Sequence, residues 1–310
     1  MIFLDYSLLI LGNLMLLIVV LISVAYFTLL ERKILGYMQL RKGPNKLGVI
    51  GIFQPFSDAI KLFSKEFILP LNSNFFIYYL SPIFSFFLSL FIWGLVPYLV
   101  GLNFYLLGFM FMLCILSVGV YLVMMSGWSS NSKYSFIGAL RSIAQTVSYE
   151  VSMIFLFLSL IFLVMDFNLL MLMEFQQLSW FIFMLMPVGI MIMVTMLAEC
   201  NRVPFDFAEG ESELVSGFNI EYGGAEFALI FMSEYSMMLF MSFLFSMMFL
   251  GGDLMSLMFY LKMGGMVMVF IWVRGSFPRY RYDKLMYLTW KIYLPISLNY
   301  LFFIIFIIFI

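Results

Sequence analysis

The chain has 310 residues, 65% of them hydrophobic and only 11% charged, with a net charge of −1 and a mean hydropathy of +1.08. Soluble domains are about 45–50% apolar and about 25% charged, so this composition excludes a soluble enzyme, a nucleic-acid binder and a disordered protein, and makes lipid the solvent for most of the chain. At about 20 apolar residues per crossing, the length leaves room for about eight helices with modest loops.

The uncharged run 6–30 predicts the first span, closed by Glu31, Arg32 and Lys33. It lacks the basic n-region and small-residue cleavage site of a secretory signal, so it is expected to be retained as a span. Beyond the turn KGPNKLG, Phe56, Ile60, Phe63 and Phe67 recur at helical spacing opposite Asp58, Lys61 and Lys65. With Pro55 suited to a first turn, this predicts an amphipathic helix over 55–67 at the membrane interface. It reads either as a simple surface anchor or as a docking surface as well.

No charge occurs from 67 to 132, and the break around Pro97 and Gly101 divides this run into spans at about 75–97 and 104–127. A fourth span over 146–165 must reach back past Glu150, which places that carboxylate roughly 6 Å inside it at 1.5 Å per residue. Further spans follow at 175–198, at 227–252 around Glu234, at 254–273 around Lys262, and at 292–310. The expected architecture is one all-α polytopic membrane domain of about eight helices, because backbone facing lipid must satisfy its own hydrogen bonds.

The basic residues test this order independently. Every Lys and Arg except Lys262 falls after span 1, 3, 5 or 7, hence on one side, and both termini fall on the other. All acids except Asp5, Asp166, Glu174 and Asp253 share the basic side. Lys262 lies 12 residues before Arg274, about 18 Å along a helix. It either snorkels to the far surface or pairs with a buried acid.

Ionisable groups at membrane depth need compensation, about 2.5–3.5 kcal/mol each on insertion scales. Glu150, Glu199 and Glu234 come from three different helices near the basic side. Between the fifth and sixth spans, the segment 199–226 carries Glu199, Asp206, Glu209, Glu211, Glu213, Glu221 and Glu226 with Arg202 as its only base. So many acids cannot all be ionised and desolvated together. The interspersed Phe205, Phe207, Leu214, Val215, Phe218 and Ile220 point to a loop folded back against the bundle. It is either a solvated counterweight to the basic loops or part of a proton or cation path. There are no histidines, Cys114 and Cys200 lie far apart, and neither a G-x-G-x-x-G nor a P-loop motif occurs. No redox metal, disulfide or nucleotide site is therefore expected on this chain alone.

Four segments carry a family resemblance: ERKILGYMQLRKGPN at 31–45, GALRSIAQTVSYE at 138–150, AECNRVPFDFAEGESELVSGFNIEY at 198–222 and PRYRYDKLMYLTWK at 278–291. In order and spacing they resemble subunit 1 of NADH:ubiquinone oxidoreductase, respiratory complex I. The abundance of Met and Phe without His is similar to the mitochondrially encoded animal forms. The resemblance implies a place in the mitochondrial inner membrane, with basic loops facing the matrix and both termini facing the intermembrane space. It implies other membrane-arm and quinone-module subunits, ubiquinone and membrane lipids as partners, and no nucleic acid. Flavin and iron–sulfur clusters would sit on partner subunits, with no cofactor and no NADH site here. By motif position, Glu31, Arg32, Asp58, Phe231 and Arg281 would line the quinone channel. Glu150, Glu199, Asp206, Glu209, Glu211, Glu213, Glu221 and Glu234 would form an acidic chain coupling quinone reduction to proton translocation, with Arg202 as counter-charge; Glu226 stays outside the assignment. An apolar passage with a few polar anchors suits an isoprenoid quinone. From the residues alone, a stand-alone cation or proton transporter using the same carboxylates remains the alternative, although no inverted repeat is visible. A purely structural anchor leaves Glu150 and Glu234 without a reason.

Overall fold

The structure, a computed structural model, describes residues 2–97, 105–210 and 214–309. Every regular element among the described residues is helical. Helix α1 (Ile2–Met38) is longer than the expected 6–30 and carries Glu31, Arg32 and Lys33 within itself. Glu, Arg and Lys favour helix, so a charge cluster ends the lipid-exposed stretch without ending the helix. The stop comes at Leu40, left-handed at φ 57, where Leu40 N–H bonds the Tyr37 carbonyl and Arg41 N–H the Gly36 carbonyl.

The amphipathic helix α2 (Gln54–Phe63) has proline in its first turn and stops short of the expected residue 67. Ser64 satisfies its last carbonyls through its N–H and hydroxyl, leaving Phe67 beyond the helix. Helix α3 (Phe75–Phe91) continues through a 3-10 turn at Ile92–Leu95, and α4 covers Gly108–Ser129. Residue 104, the expected start of that span, lies outside the described residues. Helix α5 (Lys133–Val164) begins well before the expected 146, capped by Ser132, whose hydroxyl accepts from Ser135 N–H at 3.4 Å. Its early polar residues, including Ser135, Ser142, Gln145 and Thr146, are buried in protein rather than in lipid. Glu150 therefore sits deep along a long helix, not one turn inside its start.

The expected fifth span over 175–198 is broken into α6 (Leu169–Phe175), α7 (Phe181–Met184) and α8 (Met186–Glu199). Leu185 leaves helical geometry at φ −120, ψ 38, and Pro187 occupies the first turn of α8. Proline has no N–H to donate there and disfavours helix in the preceding residue, so it starts a helix and breaks the run in which it is embedded. At 14 residues, roughly 21 Å, α8 alone falls short of the ~30 Å hydrocarbon core.

Helices α9 (Gly224–Phe249) and α10 (Leu257–Ser276) are displaced by three residues from 227–252 and 254–273. The last segment starts early, as α11 (Tyr282–Tyr287), a π turn (Leu288–Tyr293) and α12 (Leu294–Phe309). Among the described residues, seven helical segments are long and apolar enough to cross a membrane: 9–38, 75–95, 108–129, 133–164, 224–249, 257–276 and 282–308. The segment expected as the fifth span is not among them; it holds the shorter apolar helix Met186–Glu199.

Helix α9 is the centre, buried almost continuously from Met238 to Phe249 and packed against α3, α10 and α1. Helix α4 bridges α3 and α5, and α5 supports α8 and α12. Outward faces keep large apolar side chains such as Ile10, Met15, Phe84 and Phe302 exposed, as a lipid-facing surface requires. On the side away from the acidic loop, Lys262 donates to the Leu250 carbonyl at 2.7 Å and stands 3.9 Å above the Trp180 ring. Of the two accounts for Lys262, pairing with a buried acid gives way to capping of the C-terminus of α9, with the α7 side held by cation–π attraction.

The 199–226 loop does fold back against the bundle. Gly138 on α5 touches the Gly217–Phe218 backbone, and Gly217 itself, at φ 53, lies so close to the Ala208 carbonyl that a Cβ would overlap it. Gly217→Val is expected to undock the loop at a cost of more than about 1–3 kcal/mol, from left-handed strain plus the overlap. Hydrogen exchange in 199–226 would then rise selectively, whereas Gly94→Ala, with open space around it, would leave exchange unchanged. Unaltered protection in Gly217→Val would contradict this packing role.

A linked network of carboxylates and guanidinium groups

Glu31, the first residue beyond the apolar run of α1, is only 5% exposed. Its carboxylate forms an ion pair with Arg274 at the end of α10 and accepts from the Tyr235 hydroxyl on α9 at 2.5 Å. Next along α1, Arg32 points outward and pairs at 2.5 Å with Asp58 of α2, which also accepts from Gln54 at 2.9 Å. Helix α2 packs against both α1 and α9, so Glu31, Arg32, Asp58 and Tyr235 gather in one region. Phe231 lies on α9 one turn before Tyr235, its ring 4.3 Å from that of Phe227.

Arg202 joins this region to the acids. It is 8% exposed, its guanidinium lies 4.6 Å over the Tyr235 ring, and it faces Glu234 at 3.6 Å. Burial opposes its charge, but the carboxylates of Glu234, Glu31 and Glu209 and the Tyr235 phenol outweigh that and hold its pKa above the ordinary arginine value. Asp206 pairs with Arg279 at 3.3 Å and accepts from the Glu209 N–H at 3.3 Å, while Glu209 accepts from Asn219 at 3.2 Å. Burial raises the pKa of Asp206 against the pull of Arg279. It raises that of Glu209 too, reinforced by Asp206 and opposed by Arg202. The loop is pinned beneath by Gln145, which donates to the Ala198 and Phe205 carbonyls at 2.9 and 2.7 Å.

At the other end, Glu199 closes α8 close enough to Glu150 of α5 for the two carboxylates to repel. Glu150 Oε1 and Glu199 Oε2 are buried without a hydrogen-bond partner among the described residues. A cavity of about 110 Å³ separates Glu199 from Glu234 and is walled also by Ser85, Ser89, Thr146, Asn201 and Ser233. Most of its wall is apolar, including Leu88, Ile115, Leu116, Val120, Met237 and Met241, with these polar groups set into it. The order is thus Glu150, Glu199, cavity, Glu234, Arg202 and Tyr235, then Glu31 with Arg274, and on the loop side Glu209, Asp206 and Arg279.

Two of the expected site residues stand apart. Arg281 is exposed and pairs locally with Asp283 at 3.1 Å, since the early start of α11 places it at a helix N-terminus. Glu221 lies beside Tyr78, whose hydroxyl donates to its backbone carbonyl at 2.6 Å. Glu211 and Glu213 lie outside the described residues. Residue patterns missed Tyr235, Arg274, Arg279 and Gln145. The adjacency of Tyr235 to Glu234 was the one available signal, because the Arg274 and Gln145 contacts join residues 243 and 53 positions apart. Among the described residues no group of three or more His, Cys, Asp or Glu is arranged to hold a metal.

A sequence profile of the NADH dehydrogenase family matches residues 11–305. The chain is similar to the NADH-ubiquinone oxidoreductase chain 1 of Aedes aegypti, at 58% identity over 299 residues, 96% of each chain. It is 59% identical to that of Anopheles gambiae over 94% of this chain and 93% of the relative, and 57% identical to that of Locusta migratoria over 96% and 95%.

Proposed function

The chain belongs to the NADH dehydrogenase family and is a multi-pass membrane subunit of NADH:ubiquinone oxidoreductase, and from that premise we propose that it forms much of the passage by which ubiquinone leaves the bilayer and that its acids couple quinone reduction to proton movement. In this reading Glu31, Arg32, Asp58 and Phe231 border the passage. Glu150, Glu199, Asp206, Glu209 and Glu234 carry the coupling with Arg202 as their counter-charge. Glu211, Glu213 and Glu221 belong to the same acidic chain, and Arg281 to the quinone passage. The complex sits in the mitochondrial inner membrane with its basic loops toward the matrix and its termini in the intermembrane space. Flavin and iron–sulfur clusters belong to partner subunits, and the quinone-module and membrane-arm subunits dock around this chain.

One observation carries the reading: Glu31 and Glu234, on two different helices, share the Tyr235–Arg202 pair. A change of charge where the quinone headgroup is reduced therefore acts on Arg202 and, through it, on the proton held at Glu234. At an effective dielectric of about 20, unit charges roughly 8 Å apart interact by about 2 kcal/mol, more than tenfold in a protonation equilibrium. The cavity beyond Glu234 lets protons continue to Glu199 and Glu150. Glu150→Gln and Glu199→Gln are expected to lower inhibitor-sensitive quinone turnover several-fold while NADH oxidation by an artificial acceptor persists. Equal loss of both activities in a normally assembled complex would contradict the coupling role. A chain that purifies alone and moves cations in liposomes would favour the transporter instead.

A further inference from the structure

Glu226, in the first turn of α9, lies outside the network above, yet it is only 4% exposed and neither carboxyl oxygen has a hydrogen-bond partner among the described residues. It lies beside two phenols that stack on each other at 4.4 Å with planes 2° apart, Tyr78 of α3 and Tyr222 of the loop. Both couple electrostatically to its carboxyl. The Tyr78 hydrogen is directed to the Glu221 carbonyl at 2.6 Å, and the Glu226 carboxyl competes for it. A buried carboxyl without a full set of partners costs free energy, and each such group in a native fold calls for an explanation.

The surroundings point to one. Tyr222 meets the Ser81 hydroxyl at 3.1 Å. Ser81, Ser85 and Ser89 then follow at intervals of four along one face of α3. Each of these three hydroxyls donates to its own helix, at 3.3, 2.8 and 2.8 Å, and so keeps lone pairs free to accept. Opposite them, α9 presents Glu226 and, about 10 Å further along its axis, Ser233. Ser85, Ser89 and Ser233 line the cavity that holds Glu199 and Glu234. At its outer end, Gly224 lies against the segment that carries Lys65 and Glu66, on the charged face.

We propose that Glu226, with Tyr222 and the serine face of α3, forms a side branch that passes protons between the charged face and the Glu199–Glu234 cavity. The carboxyl gives its proton inward through the Tyr222 and Ser81 hydroxyls and regains one from the charged side, so that no net charge is left behind. The groups facing it are Tyr78, Tyr222 and Glu221, with Lys65 and Glu66 just outside. The branch rests on the acidic-chain reading above, and the two are separable by experiment.

The test uses intact complex from mitochondria carrying Glu226→Gln, Glu226→Asp, Tyr222→Phe or Glu234→Gln, each assayed for coupled quinone reduction across pH. Glu226→Gln is expected to lower turnover several-fold and to change the shape of the pH profile, with Glu226→Asp restoring that shape. Tyr222→Phe, which keeps the ring stack, should change the profile in the same sense and covers the case in which the Gln variant fails to assemble. If Glu226→Gln or Tyr222→Phe assembles and matches wild type in rate and profile while Glu234→Gln is inactive, the branch is wrong and the main chain stands. If Glu234→Gln is also fully active, the acidic-chain reading itself fails.

Discussion

Arg202→Met is expected to cost about 3–5 kcal/mol, the range for removing one partner from a buried charge cluster. That is a large share of the ~5–15 kcal/mol that holds a typical domain. Arg202 is the hub of the network: it faces Glu234, covers the Tyr235 ring and acts on Glu31 and Glu209. Its Nε and Nη2 have no hydrogen-bond acceptor among the described residues, so charge and the aromatic face hold it in place. Methionine fills similar space and supplies no charge, which takes the facing cation from Glu234 and one of the groups that offset Glu209 against Asp206. The measurable result is a fall in assembled complex on native electrophoresis and faster thermal loss of quinone reductase activity in what remains. Adding Glu234→Gln should restore much of the stability, because removing both members of a buried pair costs far less than removing one. Coupled turnover should stay low in the double variant, since the link between Glu31 and the cavity is gone. Normal abundance and heat resistance in Arg202→Met would remove Arg202 from the centre of the site.

Glu31→Gln tests the other end of the link. The amide still accepts from Tyr235 but no longer balances Arg274, and truncating one member of a buried hydrogen-bonded pair costs about 2–5 kcal/mol. If about 1.4 kcal/mol of that reaches the rate-limiting barrier, quinone turnover falls about tenfold. NADH oxidation by an artificial acceptor should be unaffected. Asp58→Asn is the contrast: its pair with Arg32 is largely exposed, such pairs contribute about 0–1 kcal/mol, and turnover should change by no more than a few-fold. Burial therefore predicts the order of the two effects, although the proposed function assigns both acids to the same passage. A larger loss in Asp58→Asn than in Glu31→Gln would reverse that order and place the critical charge on α2.

How far the residues alone lead depends on the range of the interaction. Hydropathy located α3, α4, α9 and α10 to within a few residues, because each is a continuous local apolar run, whether it faces lipid or, as α9 does, other helices. The same reasoning ended α1 at Glu31 and began α5 at 146, since a charge marks the limit of lipid exposure and not of the helix. It also passed over Pro187, whose missing N–H breaks a run that is apolar throughout. Among the site residues, the three carboxylates in helices stood out as costly anomalies. Their partners did not, because Arg274, Tyr235 and Gln145 are ordinary in composition and matter only through where they meet.

Composition and charge order thus determined, by themselves, that this is an all-α membrane protein whose scarce ionisable residues collect on one side and reach into the helices. Solvent class and helix formation are short-range properties, readable within some 20 residues. Only the tertiary structure decided that Glu31 belongs with Arg274 and Tyr235, that Arg202 joins them to Glu234, that Arg281 stands apart, and that Glu226 is buried beside a stacked pair of tyrosines. Those pairings depend on the rotation of each helix about its axis and on how closely glycines such as Gly138 and Gly217 let neighbouring segments approach. Both are settled by packing between segments far apart in the chain.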